Sequence, residues 1–387
     1  MTVEVRFVGH LGNNLFQYAL GRVLAEELGH ALICVPPDER PGFDRVEKAS
    51  GIQDRLSTLS AHFADVPLSL PGRQIEAPRL RHVLGDRLDW NGHGIDLGRL
   101  LRSGRDSRIV LRGYFQRTEL YQPYRERIRR WFALPPQAGD LQPGPRDIVI
   151  HLRRSYDMRV LGRMLSLDFY EQVLETARFE RVYVCGLGID DTVRARLARF
   201  SPDYLDLDAP ATLRLLQRAR QIAIANSTFS WWGAWLSDAE RIFFPRPVRG
   251  MWSADRPEIA LEVPESRYHY IDEVALDATP VFTPDTTVRL VCRRTGNGGI
   301  LQLLSPGAQP LAVAIEAAVL PFAEWLAART APFAADDWLD LDLPRQGMPR
   351  AFALLDALRQ RGAIRCDERL LRAYLDTYGG ARPGAVG

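Results

Sequence analysis

The feature that most constrains this chain is a repeated alternation of short apolar runs with amphipathic segments, each run ending in a glycine-rich or polar turn. Val3 to Val8 reads as a strand and Gly9 to Asn14 as a turn. Leu15, Phe16, Ala19, Val23, Leu24 and Leu28 then recur at helical spacing, with Gly29 at the expected C-terminal end. Ala31 to Val35 reads as the next strand, and Arg108 to Gly113 as another that leads to a helix from Tyr124 to Phe132. The pattern restarts with strand Asp147 to Leu152, helix Asp168 to Phe179, strand Val182 to Cys185 and helix Asp191 to Phe200. Helix Ala211 to Arg220 and strands Ile222 to Ala225 and Ile242 to Phe244 complete it. Strands alternating with helices at this spacing imply an α/β fold built on doubly wound parallel sheets.

The segment from Pro135 to Pro145 is rich in Pro, Gly and Gln and reads as a linker. It divides the chain into an N-terminal α/β domain (1–138), a second α/β domain (146–275) and a small α+β domain (276–387). Two α/β halves joined in this way are expected to face a ligand-binding cleft. In the last segment, Val288 to Cys292 and Gly299 to Leu304 read as a hairpin around Thr295-Gly296-Asn297-Gly298. Helical patterns follow from Ala312 to Ala328 and from Ala351 to Arg361, an order loosely similar to a winged helix. Such a unit serves either as a structural appendage or as a platform for a protein or peptide partner.

Charge removes one class of function. Lys and Arg total 50 against 48 Asp and Glu, a formal charge of +2, so no basic excess marks a nucleic-acid binder. Only Lys48 is a lysine; the other 49 basic residues are arginine, a bias that a GC-rich coding sequence explains. Cys34, Cys185, Cys292 and Cys366 are scattered without a CxxC pair and read as reduced thiols. The first residues run straight into a strand pattern, and no apolar run is long enough to span a bilayer. A cytoplasmic protein without a transmembrane anchor is therefore expected.

Three polar constellations fall where strands are expected to end, the edge at which open α/β sheets bind ligands. His151-Leu152-Arg153-Arg154-Ser155-Tyr156-Asp157 closes the strand that begins at Asp147. Arginine forks grip phosphate oxygens and stabilise charge developing on a leaving group; surface ion pairing is the competing use. Strand alternation sends Arg153 and Arg154 to different faces unless the strand has already ended. In Gly9-x-x-Gly12-Asn13-Asn14 the glycines permit close backbone approach, and the helix start offers N–H groups to a phosphate or hydroxyl. The spacing is not GxGxxG, and an ordinary tight turn uses the same residues. Asn226-Ser227-Thr228-Phe229-Ser230 supplies amide and hydroxyl groups at a helix entry, while Trp231, Trp232 and Trp235 are expected to pack that helix onto the sheet.

In this order the motifs resemble those of the alpha-1,2-fucosyltransferases and, more broadly, the inverting fucosyltransferases with a HxRR motif. The family's opening Gly-Asn loop is matched by Gly9 to Ala19 and its GYxQ segment by Gly113-Tyr114-Phe115-Gln116. Its HxRRxD signature corresponds to His151 to Asp157, and its NSTFSWWGAWL stretch to Asn226 to Leu236. The resemblance covers residues 3–272 and leaves the C-terminal segment outside it. It implies a GT-B-type fold, two Rossmann-like domains around a cleft, with GDP-fucose as donor, a glycan or glycosylated small molecule as acceptor, and no metal cofactor.

Carried over by position, Arg153 and Arg154 would hold the diphosphate and stabilise departing GDP, and Asp157 would be the general base. Gly9, Gly12, Asn13, Asn14, His151, Asn226, Ser227, Thr228 and Ser230 would bind the donor. The sequence departs from the pattern at three places. Asp157 lies one position further from the arginines, Asn14 stands where Gln is usual, and Thr212 falls where relatives carry the Asp that reads guanine, with Asp206 and Asp208 nearby. A glycosyltransferase with another nucleotide sugar or a non-glycan acceptor, or an inactive sugar-binding sensor of the same fold, are the alternatives.

Overall fold

The computed structural model describes residues 1–35, 56, 60–68, 81–84, 95–155, 158, 163–248, 252–253, 259–277, 281–334, 347–366 and 371. They group into two compact units: one holds those within 1–154 and 165–275, the other those within 155–164 and from 276 onward.

The first unit carries two parallel sheets. One contains β1 (Thr2–Arg6), β2 (Ala31–Val35), β3 (Arg81–Leu84) and β4 (Arg108–Leu111), in the order β2-β1-β4-β3. The helices α1 (Leu11–Leu28), α2 (Leu97–Ser103) and α3 (Arg125–Trp131) accompany it. The other sheet contains β5 (Ile148–Arg153), β6 (Val182–Leu187), β7 (Asp203–Tyr204), β8 (Gln221–Ala223), β9 (Arg241–Pro247) and β10 (Tyr268–Val274). Between them run α4 (Leu167–Thr176), α5 (Asp191–Leu197), α6 (Ala209–Arg218) and α7 (Thr228–Leu236). Its order, β7-β6-β5-β8-β9-β10, is third-second-first-fourth-fifth-sixth within this half, the doubly wound Rossmann order. The strand order therefore reverses between β5 and β8, the position at which open α/β sheets bind ligands.

β5 has the near-continuous burial of a strand covered on both faces: Ile148, Val149, Ile150 and Leu152 are fully buried. One apolar core serves both sheets, and the three tryptophans of α7 lie in it with Phe16 of α1. The Phe16 ring packs tilted against Trp232 at 4.7 Å and Trp231 at 4.9 Å, so α1 and α7 pack directly on each other. The Pro-rich segment is pinned to α6: Asp140 accepts from Arg214 at 2.9 Å and Arg218 at 2.7 Å.

One sequence expectation changes here, and one strand carries no signal in the sequence. The opening turn is shorter than expected, because α1 begins at Leu11 and takes in Gly12, Asn13 and Asn14. Asn14 donates its side-chain amide back to Val8 O at 3.1 Å, across the turn that precedes the helix. β10, which pairs with β9, carries polar residues among its tyrosines and has no apolar run to announce it.

The second unit pairs β11 (Val281–Pro284) with β15 (Phe333–Ala334) and β16 (Ile364–Arg365), and forms a meander from β12 (Arg289–Thr295), β13 (Gly298–Leu304) and β14 (Leu311–Ile315). The hairpin turns at Gly296-Asn297 as expected. The helix expected over Ala312–Ala328 is corrected: its start is β14, and α8 spans only Leu320–Ala327. Ala-rich composition suggests a helix there, but Val313 and Ile315 alternate with more exposed neighbours at the strand period. α9 (Gly347–Gln360) completes the unit, whose core includes Leu301, Phe322, Phe352 and Leu355. Among the described residues this unit holds six strands and two helices, more strand than the winged-helix analogy implies. No helix among the described residues is long and apolar enough to cross a membrane, and no two of the four cysteines are joined in a disulfide.

Candidate functional site

Several of the polar residues singled out in the sequence lie at the C-terminal ends of β5 and β8 and at the start of α7. β5 ends at Arg153, but Arg154 extends its ladder by one bond, with its N–H donating to Leu187 O at 2.9 Å. The two arginines differ in burial, in keeping with strand alternation. Arg154 is buried and its guanidinium donates to Leu165 O at 2.8 Å. Arg153 is half-buried and lies near enough to His151 for its charge to act on that ring.

His151 is fixed by α7. Its Nδ1 shares a 2.5 Å hydrogen bond with Ser230 Oγ, and its ring lies 5.6 Å from that of Phe229. Burial, aided by the Arg153 charge, pushes the imidazole down to about 3, so it stays neutral at physiological pH. A neutral ring beside Arg153 leaves the guanidinium as the positive charge of this pair. Ser230 is fully buried and used in holding His151, whereas Ser227 and Thr228 occupy the helix entry itself. Asn226 is buried between β8 and that entry.

The starts of α1 and α7 meet at the same place. A Cβ on Gly12 would stand 2.4 Å from both the Phe229 backbone nitrogen and Thr228 Oγ1, so only glycine permits this approach. Trp232 Nε1 donates to Gly12 O at 3.1 Å and locks the contact. Neither helix has a side-chain cap at its start, and neither has an acidic residue in its first turn. By contrast, Ser166 caps α4, Asp190 caps α5 and Asp208 caps α6. Uncapped N-termini present N–H groups and the positive ends of two helix dipoles, a setting suited to an anion.

The remaining loop residues are scaffold. Gly9 holds φ +73°, and Asn14 is buried with its amide turned onto the preceding loop. Gln17 of α1 ties the loop together. Its Nε2 donates to Gly113 O at 2.8 Å and Val8 O at 3.0 Å, and its Oε1 accepts from Val8 N at 3.1 Å. Gln116 donates to Asn13 Oδ1 at 3.0 Å, which brings the Gly113–Gln116 segment onto the start of α1. Thr212 is buried in α6, and Asp208 caps that helix by accepting from Ala211 N at 2.8 Å. Asp157 lies outside the described residues.

No protein-family model matches the chain, and no curated protein matches it by sequence. Among solved structures it is similar to the NodZ alpha-1,6-fucosyltransferase of Bradyrhizobium soaked with GDP-fucose, at 14% identity and a TM-score of 0.36, over 62% of this chain and 93% of that one. It is also similar to Arabidopsis thaliana FUT1 in complex with GDP, at 13% identity and a TM-score of 0.37, over 68% and 74% of the two chains. The E. coli heptosyltransferase WaaC with ADP matches at 13% identity and a TM-score of 0.34, over 70% and 92%. Likenesses of this order are remote, and the chemistry of the site rests on its own residues.

Proposed function

We propose that this chain is an inverting glycosyltransferase of the GT-B type, with GDP-fucose as donor and a glycan hydroxyl as acceptor. The observation that carries this reading is the convergence of Arg153 and a neutral His151 with two uncapped helix starts at one sheet edge. Such an edge suits a diphosphate, whose charge grows as it leaves. The four sequence motifs that resemble the HxRR fucosyltransferases supply the sugar and the base.

In the proposed step the acceptor oxygen forms its bond to the anomeric carbon on the face opposite the nucleotide. The bond from that carbon to the β-phosphate oxygen breaks through an oxocarbenium-like state, and its electron pair leaves with GDP. Arg153 stabilises the departing charge; Arg154, anchored on Leu165 O, holds the diphosphate side of the strand end. The acceptor proton passes to a carboxylate, a role proposed for Asp157.

One observation favours a second donor. Thr212, at the position of the guanine-reading Asp, is buried, and the neighbouring Asp208 is already used as a helix cap. A base other than guanine fits that substitution. A nucleotide-release screen with GDP-fucose, UDP-glucose, dTDP-rhamnose and ADP-heptose decides between them. GDP-fucose is expected to be consumed fastest; turnover of another donor alone would overturn the fucosyl assignment, and turnover of none would overturn the enzymatic one.

A further inference from the structure

An opening lies on the same C-terminal edge of the larger sheet. It is a cavity of about 1080 Å³ at the ends of β9 and β10, within the first unit. β9 is two strands from β5, so at about 4.8 Å per strand the two positions are roughly 10 Å apart across the sheet. That separation suits a second substrate reaching toward a donor held at Arg153.

The cavity is tied to the donor loop by short links. Thr118 N donates to Ala260 O at 2.7 Å and Ala260 N to Gln116 O at 3.0 Å, and Gln116 in turn holds Asn13. Thr118 and Ala260 both line the opening.

Its chemistry is two-sided. Pro123, Pro247, Val248, Ile259 and Pro264 give apolar walls. Among the described lining residues four carboxylates, those of Glu119, Glu262, Asp272 and Glu273, stand with one guanidinium, that of Arg246, and Glu119 is also paired with Arg117 at 2.5 Å. Arg246 is itself gripped by Glu262 at 2.7 Å and Asp272 at 2.9 Å. The described lining is thus acceptor-rich, with more carboxylates than guanidinium groups. Strain gathers here as well: Trp252 holds φ +74° and Glu273 φ +53°, both unusual for non-glycine residues. Trp252 also buries an indole N–H that has no hydrogen-bond partner among the described residues. Backbone strain and an unsatisfied donor at one cavity wall mark a place shaped for something other than stability.

We propose that this cavity is the acceptor site, and that it takes a sugar without acidic groups, aminated sugars in preference. The C–H face of a pyranose suits the proline and valine walls, while carboxylates accept from hydroxyl and ammonium groups and repel uronates or phosphorylated sugars. The acceptor assignment rests on the proposed glycosyl transfer; the sugar binding does not.

The test is saturation-transfer NMR with chitosan disaccharide, lactose and a glucuronate-containing disaccharide, on the whole chain and on Val248→Trp. Val248 is exposed, so a bulky residue there fills the opening without entering the core. The expected result is binding of the first two sugars, at least about tenfold weaker binding of the third, and loss of all signals in the variant, whose GDP affinity stays within about twofold. Equal signals in both proteins, preference for the glucuronate, or no sugar binding by the parent would overturn the proposal. With an active donor, the acceptor KM must rise about tenfold or more in Val248→Trp; an unchanged KM overturns the acceptor role. Failure of every donor, with sugar binding intact, sinks the transferase reading alone.

Discussion

α6 and α7 leave the same edge of the same sheet, yet their first turns are built differently. At the start of α6, Asp208 accepts from Ala211 N at 2.8 Å and supplies the negative charge that a helix start favours. At the start of α7, Ser227 makes no such bond, no acidic residue follows, and Gly12 of α1 is held against the turn. α4 and α5 follow the α6 pattern, and α1 follows the α7 pattern. A helix end that closes itself contributes stability; one left uncapped has N–H groups to offer a ligand. α8 is uncapped too, so it is the meeting of two such starts with the end of β5 that supports the proposed anion site.

Breaking the uncapped side should have the largest effect. Arg153→Ala removes the charge beside the β5 end and should lower the transfer rate by about 10²–10³-fold with the fold retained, read by steady-state kinetics and circular dichroism. Gly12→Ala forces a methyl group into Phe229 and Thr228, which should destabilise the first unit by about 1–3 kcal/mol and weaken nucleotide binding together, seen in denaturant melts with and without GDP.

The neutral His151 gives the same edge a pH signature. Because its folded value is depressed, the unfolded chain takes up a proton below about 6.5 that the folded chain does not. This contribution to stability is complete above that pH and is lost as pH falls toward 3, with a slope of at most about 1.4 kcal/mol per pH unit. His151→Asn should flatten that part of the urea-stability profile; an unchanged slope would show that the ring is not held neutral. The smallest effect belongs to the capped side. Asp208→Ala should cost about 1 kcal/mol of stability and leave GDP affinity untouched, measured by thermal melts and titration.

Much of the sheet framework was legible because buried strands are short apolar runs: Ala31–Val35 is found with the bounds its sequence suggests. β14 was not, since its alanines suit a helix and only its pairing with β13 makes it a strand. The position of Arg153 at a strand end was equally readable, because β5 is unambiguous. The partner of His151 was not, because Ser230 lies 79 residues away and reaches it only through the fold. Asn14 shows the limit of residue type as a guide: an amide at a loop reads as a ligand group, yet here it bonds back across the turn that precedes α1. The direction of Arg154, onto Leu165 O, likewise depends on a loop that no local pattern specifies.

The central claim is that the uncapped start of α7 receives the diphosphate. Isothermal titration of GDP into the parent and into Thr228→Asp tests it most directly, since a carboxylate at this position favours the helix but repels an anion. The account predicts binding by the parent and at least about tenfold weaker binding by the variant, with a melting temperature unchanged or raised. Equal affinity in the two proteins, or no affinity of the parent for GDP, UDP or ADP, would contradict it.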